Sequence, residues 1–303
     1  MIYDIIIIGS GPAGLAAAIY GERAKLNTLV IEKDYISGGQ VNDTYEIDNY
    51  PGLKGVSGFE LANKFKEHAD ALGAHFVTEE IVEAELQGQV KLVKTTSNTY
   101  EARTVIIATG ARHKELGAKG ENDYAGIGVS YCATCDGAFF KDKVVTVVGG
   151  GDVAVEDAIF LARGSRKVYL VHRREELRAA KQLCEKLFSL DNVEILWNSE
   201  VREISGQGKV QQLKIYNNKE CSEYDLNTDG LFVAVGIEPN SSVFAKELKL
   251  DDLGYIVAGE NCETNIPGVF AAGDVRKKQL RQVVTAVADG ANAVTSAEKY
   301  INS

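Results

Sequence analysis

The stretch of this chain best equipped for chemistry is Cys132-Ala133-Thr134-Cys135-Asp136-Gly137. Two thiols with two residues between them can close a small disulfide or, once reduced, offer one activated thiolate backed by a resolving thiol. Asp136, directly after the pair, is a candidate general acid for protonating a departing thiolate. The same acid before a glycine can equally serve as the cap of a turn. Two blander readings of the cysteines are half of a structural zinc site and an unreactive buried pair. Structural zinc needs four ligands. Cys184, Cys221 and Cys262 are isolated from one another, and no His pair stands at ligand spacing.

The elements that must position this pair are written twice. Tyr3 to Ile8 is an apolar run without alternation, which suits a parallel strand buried on both faces. It enters Gly9-Ser10-Gly11-Pro12-Ala13-Gly14, and a small-residue helix from Leu15 to Arg23 follows. Glycines between a strand and a helix let the backbone approach a pyrophosphate, whose charge the helix N-terminus stabilises. The next strand, Asn27 to Ile31, ends at Glu32, where an acid can bond a ribose hydroxyl and repels a 2′-phosphate. After the cysteines the unit recurs. Val144 to Val148 leads into Gly149-Gly150-Gly151-Asp152-Val153-Ala154, a helix from Val155 to Arg163, and a strand from Lys167 to Val171. That strand ends not at an acid but at His172-Arg173-Arg174, with Arg178 one turn further on. Cationic donors there can bind a 2′-phosphate, so this second site reads as NADPH-binding. A tight turn without ligand, for the first unit, and a solvated basic helix start, for the second, are the alternatives.

A nicotinamide delivers two electrons as hydride, and a flavin can accept hydride and then react with a thiolate. Two nicotinamide sites would leave nothing able to reduce a disulfide, so the first site reads as FAD-binding. Cys135, nearer the acid, is expected to face the flavin, and Cys132 to attack the substrate.

Between the two units lie a turn-rich insertion (38–40 and 48–52), a helix from Gly58 to Leu72, a β-rich stretch to Tyr100, and a strand from Thr104 to Ala108 closed by Thr109-Gly110. The second unit closes with a strand from Gly230 to Val235. A short hairpin is expected over Leu248 to Val257. The strand-like segment ending at Gly273-Asp274-Val275 is expected to return to the first domain, before a helix from Gln282 to Tyr300. The fold class expected is α/β, with two Rossmann-like dinucleotide-binding domains, the NADPH domain inserted into the FAD domain. The boundaries are 1–113 for the first part of the FAD domain, 114–243 for the NADPH domain carrying the cysteines, and 244–303 for the second part of the FAD domain.

Length and composition agree with this. A chain of 303 residues can hold two ordinary domains. A net charge of −10 argues against a nucleic-acid partner, since phosphate binding wants a basic surface. The apolar N-terminal run is too short for a membrane span or signal peptide, so a cytoplasmic location is expected. In that compartment five cysteines do not read as a disulfide framework.

With these residues assembled, the chain resembles the low-molecular-weight, bacterial-type thioredoxin reductases. The matching segments are 9–14, Gly38-Gly39-Gln40, Asn49, 106–110, Cys132 to Gly137, Gly149-Gly150-Gly151, His172-Arg173-Arg174, Phe270 to Val275 and Arg281-Gln282. The resemblance implies an NADPH-dependent flavoprotein that passes electrons through FAD and Cys132/Cys135 to the disulfide of thioredoxin. It also implies a homodimer, and an inserted domain that rotates so that the flavin meets the cysteines and the nicotinamide in turn. It carries cofactor contacts onto Gly9, Gly11, Pro12, Ala13, Gly14, Glu32, Lys33, Gly39, Gln40, Asn49, Thr109, Gly110, Gly273, Asp274, Arg281 and Gln282 for FAD. For NADPH the positions are Gly149, Gly151, Asp152, Val153, His172, Arg173, Arg174 and Arg178. Val153 departs from the family, in which a small polar residue is frequent near the pyrophosphate. The rivals are a reductase fed by reduced ferredoxin, one serving another dithiol protein, and a non-enzymatic redox sensor. A complete second nucleotide site argues against the sensor, which has no use for a hydride donor.

Overall fold

The computed structural model describes the whole chain except Tyr45, Glu46 and Asp48 and the side chain of Asp43, so Asp48 of the turn-rich insertion lies outside the described residues. The chain opens with β1 (Ile2–Ile8), α1 (Pro12–Arg23) and β2 (Thr28–Glu32), followed by α2 (Gly58–Ala71), β3 (Phe76–Thr78), β4 (Ile81–Glu85), β5 (Lys91–Thr95), β6 (Thr99–Ile107) and β7 (Ala111–His113). Next come β8 (Val129–Ser130), α3 (Ala133–Asp136), β9 (Val144–Gly149), α4 (Asp152–Ala162), β10 (Lys167–Val171), α5 (Lys181–Phe188) and β11 (Val193–Leu196). Then follow β12 (Ser199–Ser205), β13 (Gln212–Asn217), β14 (Ser222–Asn227) and β15 (Gly230–Ala234). The chain ends with β16 (Ile237–Pro239), β17 (Val269–Ala271) and α6 (Val283–Ile301). These elements form two compact units, one of residues 1–42, 50–112 and 238–303, the other of 43–49 and 113–237.

In the first unit β1 lies parallel between β2 and β6, with β3 beyond β2. β6 divides its other edge: Thr99 to Ala102 pair antiparallel with β5, and Val105 to Ile107 pair parallel with β17. The unbroken isoleucine run of β1 follows from burial on both faces. Ile5 and Ile7 belong to one core cluster with Ala13, Ala17, Phe270 and Ala293, whereas Ile6 and Ile8 belong to another with Leu29, Val105 and Val269. Helices α1 and α6 approach so closely that a Cβ on Gly290 would stand 2.2 Å from the Ala13 carbonyl oxygen and 2.9 Å from the Ala17 nitrogen.

The second unit repeats the plan, with β9 parallel between β10 and β15, β11 outside β10 and β8 outside β15. Its core gathers Val145, Val147, Val155, Ala158, Leu170 and Phe232. A separate antiparallel sheet, β12-β13-β14, covers a second cluster that includes Val201, Leu213 and Ile215.

The helices after the glycine turns begin at Pro12 and Asp152, three residues before the expected Leu15 and Val155, because the turn itself supplies the first helical residues. Pro12 suits this position, having no N–H to leave unpaired. The hairpin expected over 248–257 reduces to a single antiparallel bridge between Leu250 and Ile256. Neither the sheet β12-β13-β14 nor helix α5 is expected from the sequence pattern. Replacing Gly290 by Ala is expected to destabilise the protein by ~1–3 kcal/mol through overpacking against α1, read as a lower denaturant midpoint with unchanged m.

Candidate active site and nucleotide turns

Both glycine turns obey the same steric rule. A Cβ on Gly9, whose φ is +102°, would stand 2.5 Å from the carbonyl oxygen of Ala108, and a Cβ on Gly149 would stand 2.5 Å from that of Ala234. These first glycines are closed by the end of a neighbouring strand. The second glycines are open: a Cβ on Gly11 would find nothing nearer than 3.9 Å, and one on Gly151 nothing within 4 Å. A bare backbone at a helix start, open on one side, is the cradle that a pyrophosphate fits. Gly14 is shut by the Gly9 carbonyl oxygen, only 1.9 Å from where its Cβ would be. Pro12 and Ala13 open α1 as its first residues, and Asp152 and Val153 open α4, with Val153 exposed.

One carboxyl oxygen of Glu32 is spent on the first turn and the other on the chain just after it. Its Oε2 accepts from the Ser10 N–H (2.7 Å) and hydroxyl (2.8 Å), and its Oε1 accepts from the N–H groups of exposed Lys33 (2.8 Å) and Asp34 (3.2 Å). Of these four donors only the Ser10 hydroxyl can rotate away. In the second unit His172 differs from its neighbours. It is buried, and its ring lies where a Cβ on Gly150 would collide with it, while Nε2 bonds the Glu176 carbonyl oxygen at 2.9 Å. Burial pushes its pKa below the ordinary value, and Arg178 and Arg174 push the same way, so the ring is a neutral prop for the turn. The exposed Arg173, Arg174 and Arg178 are left as the cations of this edge. The Arg178 N–H donates to the Gly150 carbonyl oxygen (2.7 Å), and Asp152 Oδ1 accepts from the Ala180 N–H (2.7 Å).

Gly39 and Gln40 lie exposed in the first unit, and the Gln40 side-chain amide donates to the Ala111 carbonyl oxygen. Asn49 is exposed, in the short stretch that clusters with the second unit. Thr109 donates to the Asn240 carbonyl oxygen at 2.7 Å, and Gly110 accepts from the Asn240 N–H at 3.0 Å. Near the C-terminal helix, Asp289 is buried and saturated. Oδ2 accepts from the Gly273 N–H (2.9 Å), Arg276 Nε (2.8 Å) and Lys278 Nζ (2.8 Å), and Oδ1 from Arg276 Nη2 (2.7 Å). Beside this clamp, Asp274 Oδ1 and Arg281 Nε are buried without a partner. The Arg281 guanidinium lies 4.1 Å from the centre of the Tyr255 ring, and the Gln282 N–H caps α6 through the Thr285 hydroxyl (3.2 Å). Unpaired polar atoms beside an open glycine turn in the same unit fit a ligand with both hydroxyl and anionic groups, as a flavin dinucleotide has.

Cys132 and Cys135 form a disulfide with Cα atoms 5.3 Å apart, at the start of α3 in the second unit. The N–H groups of Cys135 (3.2 Å) and Asp136 (3.1 Å) both donate to the Cys132 carbonyl oxygen, which closes the turn. Asp136 Oδ2 accepts from the Ser130 hydroxyl at 2.6 Å, and Oδ1 is buried without a partner. Burial raises the Asp136 pKa above the ordinary value, opposed by the Ser130 bond. Asp136 also lines a cavity of about 440 Å³ with Phe139, Phe140 and Lys143. Cys184, Cys221 and Cys262 are free thiols, and burial pushes Cys262 up to about 12.

A family model described as pyridine nucleotide-disulphide oxidoreductase matches residues 3–290. The chain belongs to this family. It is an oxidoreductase of the flavoprotein type with a redox disulfide, and the family's cofactors are FAD and NADPH. The chain is 50% identical to a thioredoxin reductase of Peptoclostridium acidaminophilum, over 100% of this chain and 98% of that protein. It is 46% identical to one of Bacillus subtilis, over 99% and 95% respectively. The crystal structure of thioredoxin reductase from Streptococcus pyogenes superposes with a TM-score of 0.95 at 45% identity, covering 99% of this chain and 98% of that one.

Several residues that shape the site of this disulfide oxidoreductase carry no motif of their own. Ser10 and Ser130 are single hydroxyls, and their partners are 22 and 6 residues away. Glu121 stands in a polar run, yet it is buried, accepting from the Leu116 (2.8 Å) and Gly117 (2.7 Å) N–H groups and the Tyr131 hydroxyl (2.8 Å). Arg276, Lys278 and Asp289 offered one signal, an acid and two bases within the small-residue C-terminal segment. Burial acts to raise the Asp289 pKa, but the bonds from Arg276 and Lys278 outweigh it and hold the carboxyl below its ordinary 3.8. A depressed folded-state pKa means the clamp's stabilisation is complete above 3.8 and is lost as pH falls through the lowered value. Asp289→Asn is expected to cost ~3 kcal/mol at neutral pH by stranding two buried cations, to weaken FAD binding by the apoprotein, and to remove that part of the acid sensitivity. Denaturant titrations at neutral and acid pH, with flavin fluorescence titration, check this.

Proposed function

We propose that this chain is an NADPH-dependent thioredoxin reductase, with FAD held by the first unit and NADPH by the second. One observation carries the reading: a Cys132–Cys135 disulfide followed by a carboxyl with a free, buried oxygen, in the same unit as the arginine-edged second glycine turn. Its full-length likeness to proteins named thioredoxin reductase supports thioredoxin as the substrate. The flavin, when bound, supplies acceptance of two electrons from the nicotinamide and their delivery to a disulfide.

The chain's own residues do the rest. Gly11 and Gly151 leave backbone exposed for the two pyrophosphates. Arg173, Arg174 and Arg178 bind the 2′-phosphate of NADPH, which also disfavours reduced ferredoxin as donor. The reduced pair acts by thiol–disulfide exchange. Cys132 attacks the partner's disulfide, whose S–S bond breaks as a mixed disulfide forms. Cys135 then displaces the partner from Cys132, and the Cys132–Cys135 bond closes again. Asp136 supplies a proton to a departing thiolate, and the partner leaves as a dithiol. Exposed Ile127 and half-buried Phe139 edge the cavity beside Asp136 and offer apolar surface to a partner protein. We place the enzyme in the cytoplasm as a homodimer. Among the described residues no helix is long and apolar enough to cross a membrane.

Adding NADPH anaerobically is expected to bleach the flavin absorbance, and adding oxidised thioredoxin to restore it; absence of either change rejects the reading. Cys132→Ser should still bleach with NADPH yet reduce no thioredoxin. Replacing Arg173 and Arg174 by Ala should raise KM for NADPH by ~10–100-fold, the worth of a charge-assisted hydrogen bond or two, and leave KM for NADH unmoved.

A further inference from the structure

We propose that Ser130 is a positioning residue for the acid of the exchange reaction: by donating its hydroxyl to Oδ2 of Asp136 it confines the acid's proton to Oδ1. This rests on the disulfide-reductase reading above. Ser130 ends β8, whose backbone pairs Val129 with Leu231 and Ser130 with Phe232, so the residue is anchored to the parallel sheet of its unit. It is 6% exposed. Its hydroxyl has three neighbours: the Cys132 N–H, which donates to it at 3.1 Å; Asp136 Oδ2 at 2.6 Å; and the Cys132 carbonyl oxygen at 3.3 Å. One hydroxyl has one hydrogen to give. The nearer acceptor, a carboxyl oxygen, takes it. Ser130 thereby ties the backbone at the first redox cysteine to the acid four residues further on.

The consequence falls on the other carboxyl oxygen. Asp136 Oδ1 is buried and has no hydrogen-bond partner, so it is the oxygen left to carry and release a proton. The charged groups of the cavity, and Glu121 beyond Tyr131, do not compete for it. Asp229 accepts from the Val144 N–H at 2.9 Å, Glu121 is saturated by two N–H groups and the Tyr131 hydroxyl, and Lys143 and Lys209 line the cavity without bonding the carboxyl. When the Cys132 thiolate bonds to one sulfur of a substrate disulfide, the substrate S–S bond breaks, and the other sulfur leaves with the electron pair and takes the proton from Oδ1. The carboxylate that remains keeps the Ser130 hydroxyl on Oδ2 and regains its proton from solvent.

Proton donation matters when the leaving thiolate is basic and not when it is a stable aromatic thiolate. Pre-reduced holoenzyme is therefore mixed with an alkyl disulfide, bis-hydroxyethyl disulfide, and with an aromatic one, dithiobis-nitrobenzoate, across a range of pH. Expressed per attacking thiolate, the wild-type alkyl rate falls as pH rises through the Asp136 pKa, because the acid must be protonated. Ser130→Ala removes a bond that lowers that pKa, so the fall moves to higher pH, while the plateau rate drops about tenfold. The aromatic rate stays within about twofold. Ser130→Thr restores both features. Ser130→Cys, of similar size and a weaker donor, displaces the profile less in the same direction and serves if the alanine variant does not fold. Equal losses on both disulfides, or an unmoved profile, overturn the Ser130 role alone. A wild-type enzyme that reduces neither disulfide overturns the reductase reading and this proposal with it.

Discussion

The structure depends on one steric constraint applied twice. At Gly9 and at Gly149 a strand-end carbonyl oxygen occupies the space a side chain would need, 2.5 Å from the missing Cβ. Only glycine lets the chain pass there, and passing there turns each strand directly into its helix. The parallel sheets, the early helix starts at Pro12 and Asp152, and the bare backbone at Gly11 and Gly151 all follow from that close approach. The same turns set the packing and bare the backbone at Gly11 and Gly151, so a change that relieves the crowding also disturbs that open edge.

Within this frame the acids divide by whether both carboxyl oxygens are satisfied. Glu32, Glu121 and Asp289 are saturated by N–H groups, hydroxyls or paired cations, and each braces a loop. Asp136 and Asp274 each keep one buried oxygen without a partner. A buried polar atom left unpaired costs free energy, and a fold tolerates that cost where the atom has a task. Burial raises the pKa of both.

The two nucleotide turns share a backbone plan and diverge in charge. Glu32 closes the first with a carboxylate, whereas Arg173, Arg174 and Arg178 edge the second with cations. His172, adjacent in sequence to those arginines, turns inward as a neutral prop under Gly150. Three consecutive basic residues thus divide into one buried ring and two exposed cations.

The sequence alone determined the repeated strand–glycine–helix units, the opposite charge at their edges, the redox spacing of Cys132 and Cys135, and the membership of the disulfide oxidoreductases that these motifs imply. Such features are local: a glycine demanded by a turn, or an apolar run buried on both faces, is visible within a few residues. Tertiary structure decided what depends on distant partners. It made Asp289 the clamp of Gly273, 16 residues away, and gave Glu121 to the Tyr131 hydroxyl. It also assembled β12-β13-β14, whose short strands carry weak patterns singly and become a sheet when the apolar faces of β12 and β13 meet Val148 and Val233. Hydrogen-bond partners of single polar residues leave no period in a sequence, because they are set by which backbone groups the fold leaves unpaired. For that reason the redox spacing of Cys132 and Cys135 was legible in the sequence, while the Ser130 hydroxyl that bonds Asp136 was not.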